Sequence, residues 1–379
     1  MRGRMALEGR ATPTGTTRFR DRTVAERRIP REHFRAAPGG LSLSSIGLGT
    51  YLGAPDAPTD VAVEQAATVC LTSGRVNVLD TAINYRNQRA ERALGRTLAR
   101  AVARGAVGRD EVFVATKNGY LAPDGTNGPP PADWLERDLL RPGVLDPADL
   151  VDGCHAMSRS FLAHQFDRSR ENLGVETVDL LYLHNAPDAQ LPSVGPEGFD
   201  RRLEEAFTLF ESLRDQRRLG AYGLATWSSL RVPAGAPEHF SLESAVRTAR
   251  NVGGEEHGLR FVQLPLSLAM PEAWTAATQS VHGERLPPLE AATRLGLGVF
   301  SSVPLAQGRL ARGGPRHGGL SSAQTALQFA RSAPGSIGPL VGVKRAEHVA
   351  EALDLASRPP WDGATFRACL EGRGSPAAR

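Results

Sequence analysis

From about residue 38 onward, short runs that are apolar on both faces alternate with longer stretches whose apolar positions recur every three or four residues. The short runs are LSSIGLG (43–49), VNVLD (76–80), EVFVATK (111–117), VDLLYLH (178–184), LGAYGLA (219–225), LRFVQLP (259–265), LGVFSSV (297–303) and SIGPLVGV (336–343). Runs this apolar predict strands of a parallel sheet covered on both faces. The stretches between them predict helices near 58–73, 88–104, 158–174, 201–217, 241–252, 286–295, 321–332 and 345–356. Eight such units in succession predict an α/β fold, a closed (β/α)8 TIM barrel spanning residues 33–357. An open doubly wound sheet would carry a glycine-rich phosphate turn after its first strand. GLGTYLG (47–53) stands there without the GxGxxG spacing or the acidic residue about twenty positions on, and reads as a tight βα loop.

Three segments interrupt the rhythm, and a C-terminal tail follows it. HFRAAPGGLSLSS (33–45) predicts an N-terminal hairpin turning at Pro38-Gly39-Gly40. The third βα loop, 118–150, is rich in proline and glycine yet carries Tyr120 and Trp134, and its length predicts a functional lid. Residues 1–32 predict a basic, disordered tail, and 358–379 a frayed C-terminal one.

Composition narrows the function classes. With 41% hydrophobic and 23% charged residues among 379, the chain is of ordinary globular type, and no stretch is apolar enough to cross a bilayer. The N-terminus shows no secretory signal. The three cysteines (Cys70, Cys154, Cys369) are far apart and in no metal-binding spacing, which predicts reduced thiols, a cytoplasmic protein and no metal. The net charge of +4 gathers near the start, at Arg2, Arg4, Arg10, Arg18, Arg20, Arg22, Arg27, Arg28 and Arg31. Only one aromatic residue, Phe19, is interleaved there, too few for a base-stacking platform, so no nucleic-acid partner is expected.

One bias is sharper. Of 45 basic residues only Lys117 and Lys344 are lysines. Where arginine fills every generic positive position, a surviving lysine marks chemistry that needs a compact ammonium: tuning a neighbour's pKa or meeting a phosphate as a point charge.

In a barrel, function gathers where strands end. Asp80 ends the second strand, Lys117 the third and His184 the fourth, and Tyr85 lies in the loop after the second. If neighbouring strand ends converge, Asp80 pairs with Lys117, and the ammonium lies beside the Tyr85 hydroxyl. A nearby cation lowers a phenol's pKa and makes it a better proton donor to a carbonyl oxygen. Neutral His184 would add a second hydrogen bond and orient the substrate. A buried ion pair that only stabilises the barrel mouth is the alternative for each residue taken alone.

With these residues in view, the sequence resembles the aldo-keto reductases. GLGTYLG, DTAINY followed by AERALG, ATK, VDLLYLH, LGAYGLATW, FVQLPLS, VPLAQGRL and GVKRAEHVAEAL stand in that family's order across roughly residues 33–356. The resemblance implies a (β/α)8 barrel, NADPH-dependent carbonyl reduction, and a catalytic tetrad of Asp80, Tyr85, Lys117 and His184. It implies that Lys344 and Arg345 meet the 2′-phosphate and that His348 and Glu351 flank the adenosine. It further implies cofactor contacts at Thr50, Tyr51, Asp80, Thr226, Gln263, Ser302, Pro304, Leu305, Gln307, Gly308 and Gly342. Tyr51, Tyr120, Trp134 and Asn185 are the expected substrate walls.

The chain departs from the family pattern at several cofactor contacts. Ala225-Thr226 stands for a usual Ser-Asn, Ser302 for an aromatic residue, and Ala352 for the asparagine after the adenosine glutamate. These changes predict loosened, not lost, nicotinamide binding. They motivate a second reading, a non-redox lyase or isomerase of dehydratase type reusing the tetrad. A third is a non-catalytic nucleotide-binding barrel. Stoichiometric consumption of NADPH separates the first from the second.

Overall fold

A computed structural model describes residues 6–126, 128 and 130–372. Eight parallel strands form the closed barrel: β1 (Gly47–Gly49), β2 (Val78–Asp80), β3 (Phe113–Asn118), β4 (Val178–His184), β5 (Leu219–Ala225), β6 (Leu259–Pro265), β7 (Gly298–Ser302) and β8 (Ser336–Gly342). Each pairs with the next in chain order, and β8 closes on β1 through Leu340↔Gly47. The helices that follow them are α1 (Ala57–Thr72), α2 (Arg89–Ala103), α3 (Arg159–Leu173), α4 (Ala186–Asp215), α5 (Leu242–Gly253), α6 (Pro288–Arg294), α7 (Ser322–Ser332) and α8 (Ala346–Asp354). The expected (β/α)8 TIM barrel is the observed fold, with strand and helix positions close to the sequence reading.

Burial explains why these segments become strands. Every residue of β3 and β4 is buried, one face against the helices and one inside the barrel. The inside is filled, not hollow: Phe113, Phe261 and Phe300 pack with ring centroids 5.4–6.3 Å apart beneath Val78, Leu180 and Tyr182. That plug confines solvent and ligands to one end of the barrel. The expected hairpin forms, Phe34–Ala37 pairing with Leu41–Ser44 around Pro38–Gly40, and its Leu43 joins the inner cluster.

Two expectations of disorder are corrected. Pro13–Arg27 is a helix capped by the Thr12 hydroxyl, which accepts the Gly15 N–H at 2.9 Å. Phe19 is fully buried edge-on to Phe34, and Arg18 and Arg22 donate to Glu111. Just before it, the Ala11 N–H donates to Asp179 at 2.6 Å, fixing the chain to the barrel. The segment reads as a tail because its partners lie some ninety residues downstream and its own face carries no apolar stripe. At the other end, Gly363–Leu370 is helical and buries Phe366, stacked on Phe329 at 4.8 Å. Residues 1–5 and 373–379 of the expected tails lie outside the described residues. α4 begins earlier than the sequence predicts because its range joins two helices across a kink: Gly195, between Pro192 and Pro196, leaves the helical conformation at φ 69° and ψ 171°.

Candidate active site

The floor of the site is a closed polar triangle. Lys117 is wholly buried and donates to Asp80 Oδ1 at 2.5 Å, Asp80 Oδ2 at 2.8 Å and the Thr81 carbonyl at 2.8 Å. Asp80 Oδ2 also accepts the Gln263 side-chain N–H at 3.0 Å. Burial pushes the Asp80 carboxyl up and the Lys117 ammonium down, while each partner holds the other charged. All three ammonium protons are thereby spent.

Above it stands Tyr85, placed by an unusual turn. After Asp80 the chain keeps to β3 for two more hydrogen bonds, Thr81 N–H to Ala115 O and Ile83 N–H to Lys117 O. Then Arg86, Asn87 and Gln88 take positive φ of 51°, 54° and 69° before α2 begins. Left-handed conformation is costly for residues with a side chain, so three in succession need external support. Arg86 and Arg89 both pair with Asp60 on α1. The Gln88 side chain donates to Ala122 O at 2.8 Å, and Gly125 N–H to Asn87 O at 3.1 Å. The long third loop, expected as a lid, therefore braces the tyrosine turn through its Ala122–Gly125 portion. Trp134, expected at the substrate, does not line the cleft. It packs instead on an apolar cluster of the loop's Leu139 and Leu145 with Phe161 of α3.

Lys117 Nζ lies 5.0 Å from the Tyr85 ring centroid. The expected lowering of the phenol's pKa is not what the surroundings produce. Burial pushes the Tyr85 hydroxyl well above its ordinary value, and the Asp80 carboxylate, Tyr51 and Tyr120 push the same way. The ammonium fails to offset this because Asp80, bound to it, opposes its field. The hydroxyl has no hydrogen-bond partner among the described residues and is free to meet a ligand.

His184 packs edge-on to Tyr85 at 5.6 Å and to Tyr120 at 5.1 Å. Burial, Lys117 and His155 hold its pKa well below the usual range, so the ring is neutral. Its Nδ1 is buried without a partner among the described residues, while its carbonyl accepts His155 Nε2–H at 2.9 Å. Asn185 donates weakly to the Tyr120 hydroxyl at 3.5 Å.

These groups open into one cleft of about 1110 Å³. Each residue expected to hold the cofactor lines it, from Thr50, Tyr51, Asp80, Thr226, Gln263 and Ser302 through Pro304, Leu305, Gln307 and Gly308 to Gly342, Lys344, Arg345, His348 and Glu351. Tyr51, Tyr120 and Asn185 line it as well. At the far end, Lys344 donates to Leu52 O at 3.2 Å and has no carboxylate partner among the described residues, whereas Arg345 is paired with Glu347 at 2.5 Å. Glu351 accepts the Ser321 hydroxyl and so joins α8 to the start of α7.

Among the cleft residues that sequence reasoning missed are Asn84, Trp227, Arg312, Arg316, Ser321 and Ser322. The two arginines were hidden by the chain's arginine bias. Their one signal is the glycine-rich setting, RLARGGPRHGG (309–319), just after VPLAQG.

The family model of the aldo/keto reductase family matches residues 45–238, just over half of the chain. The chain belongs to the aldo/keto reductase family. It is thus an oxidoreductase of that family, built on the family's barrel. Aldo-keto reductase AKR11C1 from Bacillus halodurans, in its holo form, shares the fold with a TM-score of 0.60 and 16% identity. That match covers 91% of this chain and 97% of the other. No curated protein matches the sequence closely enough to count as a relative. Among the described residues, no helix of this aldo/keto reductase is long and apolar enough to cross a membrane, and no cluster of side chains is arranged to hold a metal.

Proposed function

We propose that the protein is an NADPH-dependent reductase of a small carbonyl compound, with Tyr85 as the proton donor. The observation that carries this reading is the continuity of the cleft, which runs from the free Tyr85 hydroxyl and neutral His184 to the cations around Lys344.

The donor set suits a dinucleotide. Lys344, Arg312 and Arg316 meet no acid among the described residues, and the start of α7, with Ser321 and Ser322, lines the same end. Cations and a helix start fit a pyrophosphate and a further phosphate. The opposite end offers only neutral polar groups and the satisfied Asp80–Lys117 pair, which suits an uncharged nicotinamide and carbonyl. Gln263 and Thr226 border that end, and the Thr226 N–H is held by the Gln263 carbonyl at 2.8 Å. These two occupy the places where the sequence departs from, or keeps, the family pattern. Ser302 in place of an aromatic ring leaves the nicotinamide face less packed.

When bound, the reduced nicotinamide supplies a hydride to the carbonyl carbon. The protein's part is to bind and orient the carbonyl and to deliver a proton to its oxygen. Neutral His184 donates a hydrogen bond to that oxygen through Nε2, and Tyr85 transfers its hydroxyl proton as negative charge develops there. Lys117 acts through space, stabilising the phenolate left behind, since it has no N–H to spare. Asp80 keeps Lys117 charged and in place. The two buried thiols, Cys70 and Cys369, and the exposed Cys154 are all free, which fits a reducing cytoplasmic setting.

The test is stoichiometry. Across a panel of neutral aldehydes and ketones, one alcohol should form for each NADPH oxidised. Product formation without nucleotide oxidation would instead establish the non-redox lyase or isomerase reading. Nucleotide binding with no turnover of any carbonyl would leave a binding protein.

A further inference from the structure

One carboxylate joins the loops that follow β4 and β5. Asp188 lies in the first turn of α4, four residues after His184. Its Oδ1 accepts the Ser228 N–H at 2.6 Å, the Ser229 N–H at 2.9 Å and the Ser228 hydroxyl at 2.9 Å. Its Oδ2 accepts the Trp227 N–H at 2.9 Å and the Ser229 hydroxyl at 3.2 Å. Five donors from three consecutive residues converge on one side chain, and all of them are neutral dipoles.

The segment they hold borders the cleft. Trp227 follows Thr226 directly and lines the cleft, with 43% of its surface exposed. Its carbonyl accepts from Arg231 Nε at 3.1 Å and Nη2 at 2.8 Å. The Trp227 backbone is therefore fixed from both sides while its indole remains a free wall. A surface loop does not need five bonds to one carboxylate merely to turn; that density of charge-assisted bonds fixes a position.

We infer that Asp188 is a positioning residue, which locks the Trp227–Ser229 segment to the first turn of α4, just after His184, so that the indole forms a rigid wall for the carbonyl substrate. This rests on the reductase reading. Asparagine cannot replace it, because an amide N–H would face the Trp227 N–H at the Oδ2 position, or the Ser228 and Ser229 N–H groups at the Oδ1 position.

The test uses the full-length protein with NADPH and 4-nitrobenzaldehyde, a neutral aromatic aldehyde. Asp188→Asn should lower kcat/KM about 10- to 100-fold, mostly through KM, as expected for a wall displaced by a fraction of an ångström to an ångström. NADPH affinity and Tm should hold near wild type. Amide exchange should quicken at Trp227–Ser229 and nowhere in the barrel strands. In a Trp227→Ala background the same substitution should cost less than about twofold, because the wall it positions is gone. Asp188→Glu should restore part of the loss. An unchanged kcat/KM in Asp188→Asn, or a loss that adds in full to that of Trp227→Ala, would overturn the inference and leave Asp188 a structural cap. A wild type that turns over no carbonyl is a failure of the reductase reading instead. Unchanged exchange at Trp227–Ser229 in Asp188→Asn would then still overturn the claim that Asp188 holds this loop.

Discussion

The Lys117 ammonium faces the Tyr85 ring from 5.0 Å with all three of its protons already given to Asp80 and Thr81. The lysine therefore shapes the field at the tyrosine without hydrogen-bonding to it, and Asp80 fixes how strong that field is.

That geometry makes the lysine irreplaceable by another cation. Arginine is planar and longer, and the wholly buried pocket offers three acceptors set for a tetrahedral ammonium. Lys117→Arg should be nearly as inactive as Lys117→Met. The methionine variant should also lose about 3–5 kcal/mol of stability, because it strands the Asp80 carboxylate without its partner. Comparing kcat with the denaturant midpoint for both variants checks this. Near-normal activity in the arginine variant would show that charge alone suffices.

The raised Tyr85 pKa sets a pH dependence with a definite sign. The protonated phenol is the acid needed for reduction, and it persists through neutral pH because burial holds the pKa above its ordinary value. Carbonyl reduction should stay flat through neutral pH and fall only on the alkaline side. Alcohol oxidation, which needs the phenolate, should rise over the same alkaline range. Profiles of kcat in both directions with saturating cofactor read this out. A fall in reduction between pH 6 and 8 would mean that a different group supplies the proton.

At the far end of the cleft, Arg345 is engaged by Glu347 while Lys344, Arg312 and Arg316 are not. Lys344→Ala should thus weaken NADPH more than Arg345→Ala does. The expected loss is about tenfold or more, the scale of one charge-assisted contact to phosphate, with NADH almost untouched. Arg312→Ala and Arg316→Ala should weaken both nucleotides alike if they meet the pyrophosphate. All these effects should shrink as salt rises. Titrations of each nucleotide by fluorescence quenching separate the cases.

The N-terminal helix is part of the fold. Phe19→Ala removes a fully buried ring from its contact with Phe34 and should cost about 3–5 kcal/mol on unfolding. KM values for substrate and cofactor should not change. A Tm equal to that of wild type would mean that the helix does not contribute to the folded core.

Much of this was legible in the chain, and for physical reasons. β4 reads as a strand because all of VDLLYLH is buried, and His184 stands out at its end because a polar residue there interrupts an apolar run. Asp80 and Lys117 are visible for the same reason. What escaped depends on distant partners. The Pro13–Arg27 helix needs Glu111 and Phe34 to hold it, and nothing local in its sequence announces them. The turn at Arg86–Gln88 contains no glycine to mark its left-handed backbone, because Asp60 and the third loop stabilise it instead. Asp188 was passed over because its partners, Trp227–Ser229, follow a different strand.

The most direct measurement is single-turnover reduction by Tyr85→Phe, with NADPH affinity measured in the same preparation. The substitution keeps the ring and its contacts with His184 and Tyr51 and removes only the hydroxyl proton. The rate should fall by roughly three orders of magnitude or more, about 4 kcal/mol of transition-state stabilisation, while cofactor affinity stays within about twofold. A variant that retains more than about a tenth of the wild-type rate, a loss under about 1.4 kcal/mol, would contradict Tyr85 as the proton donor.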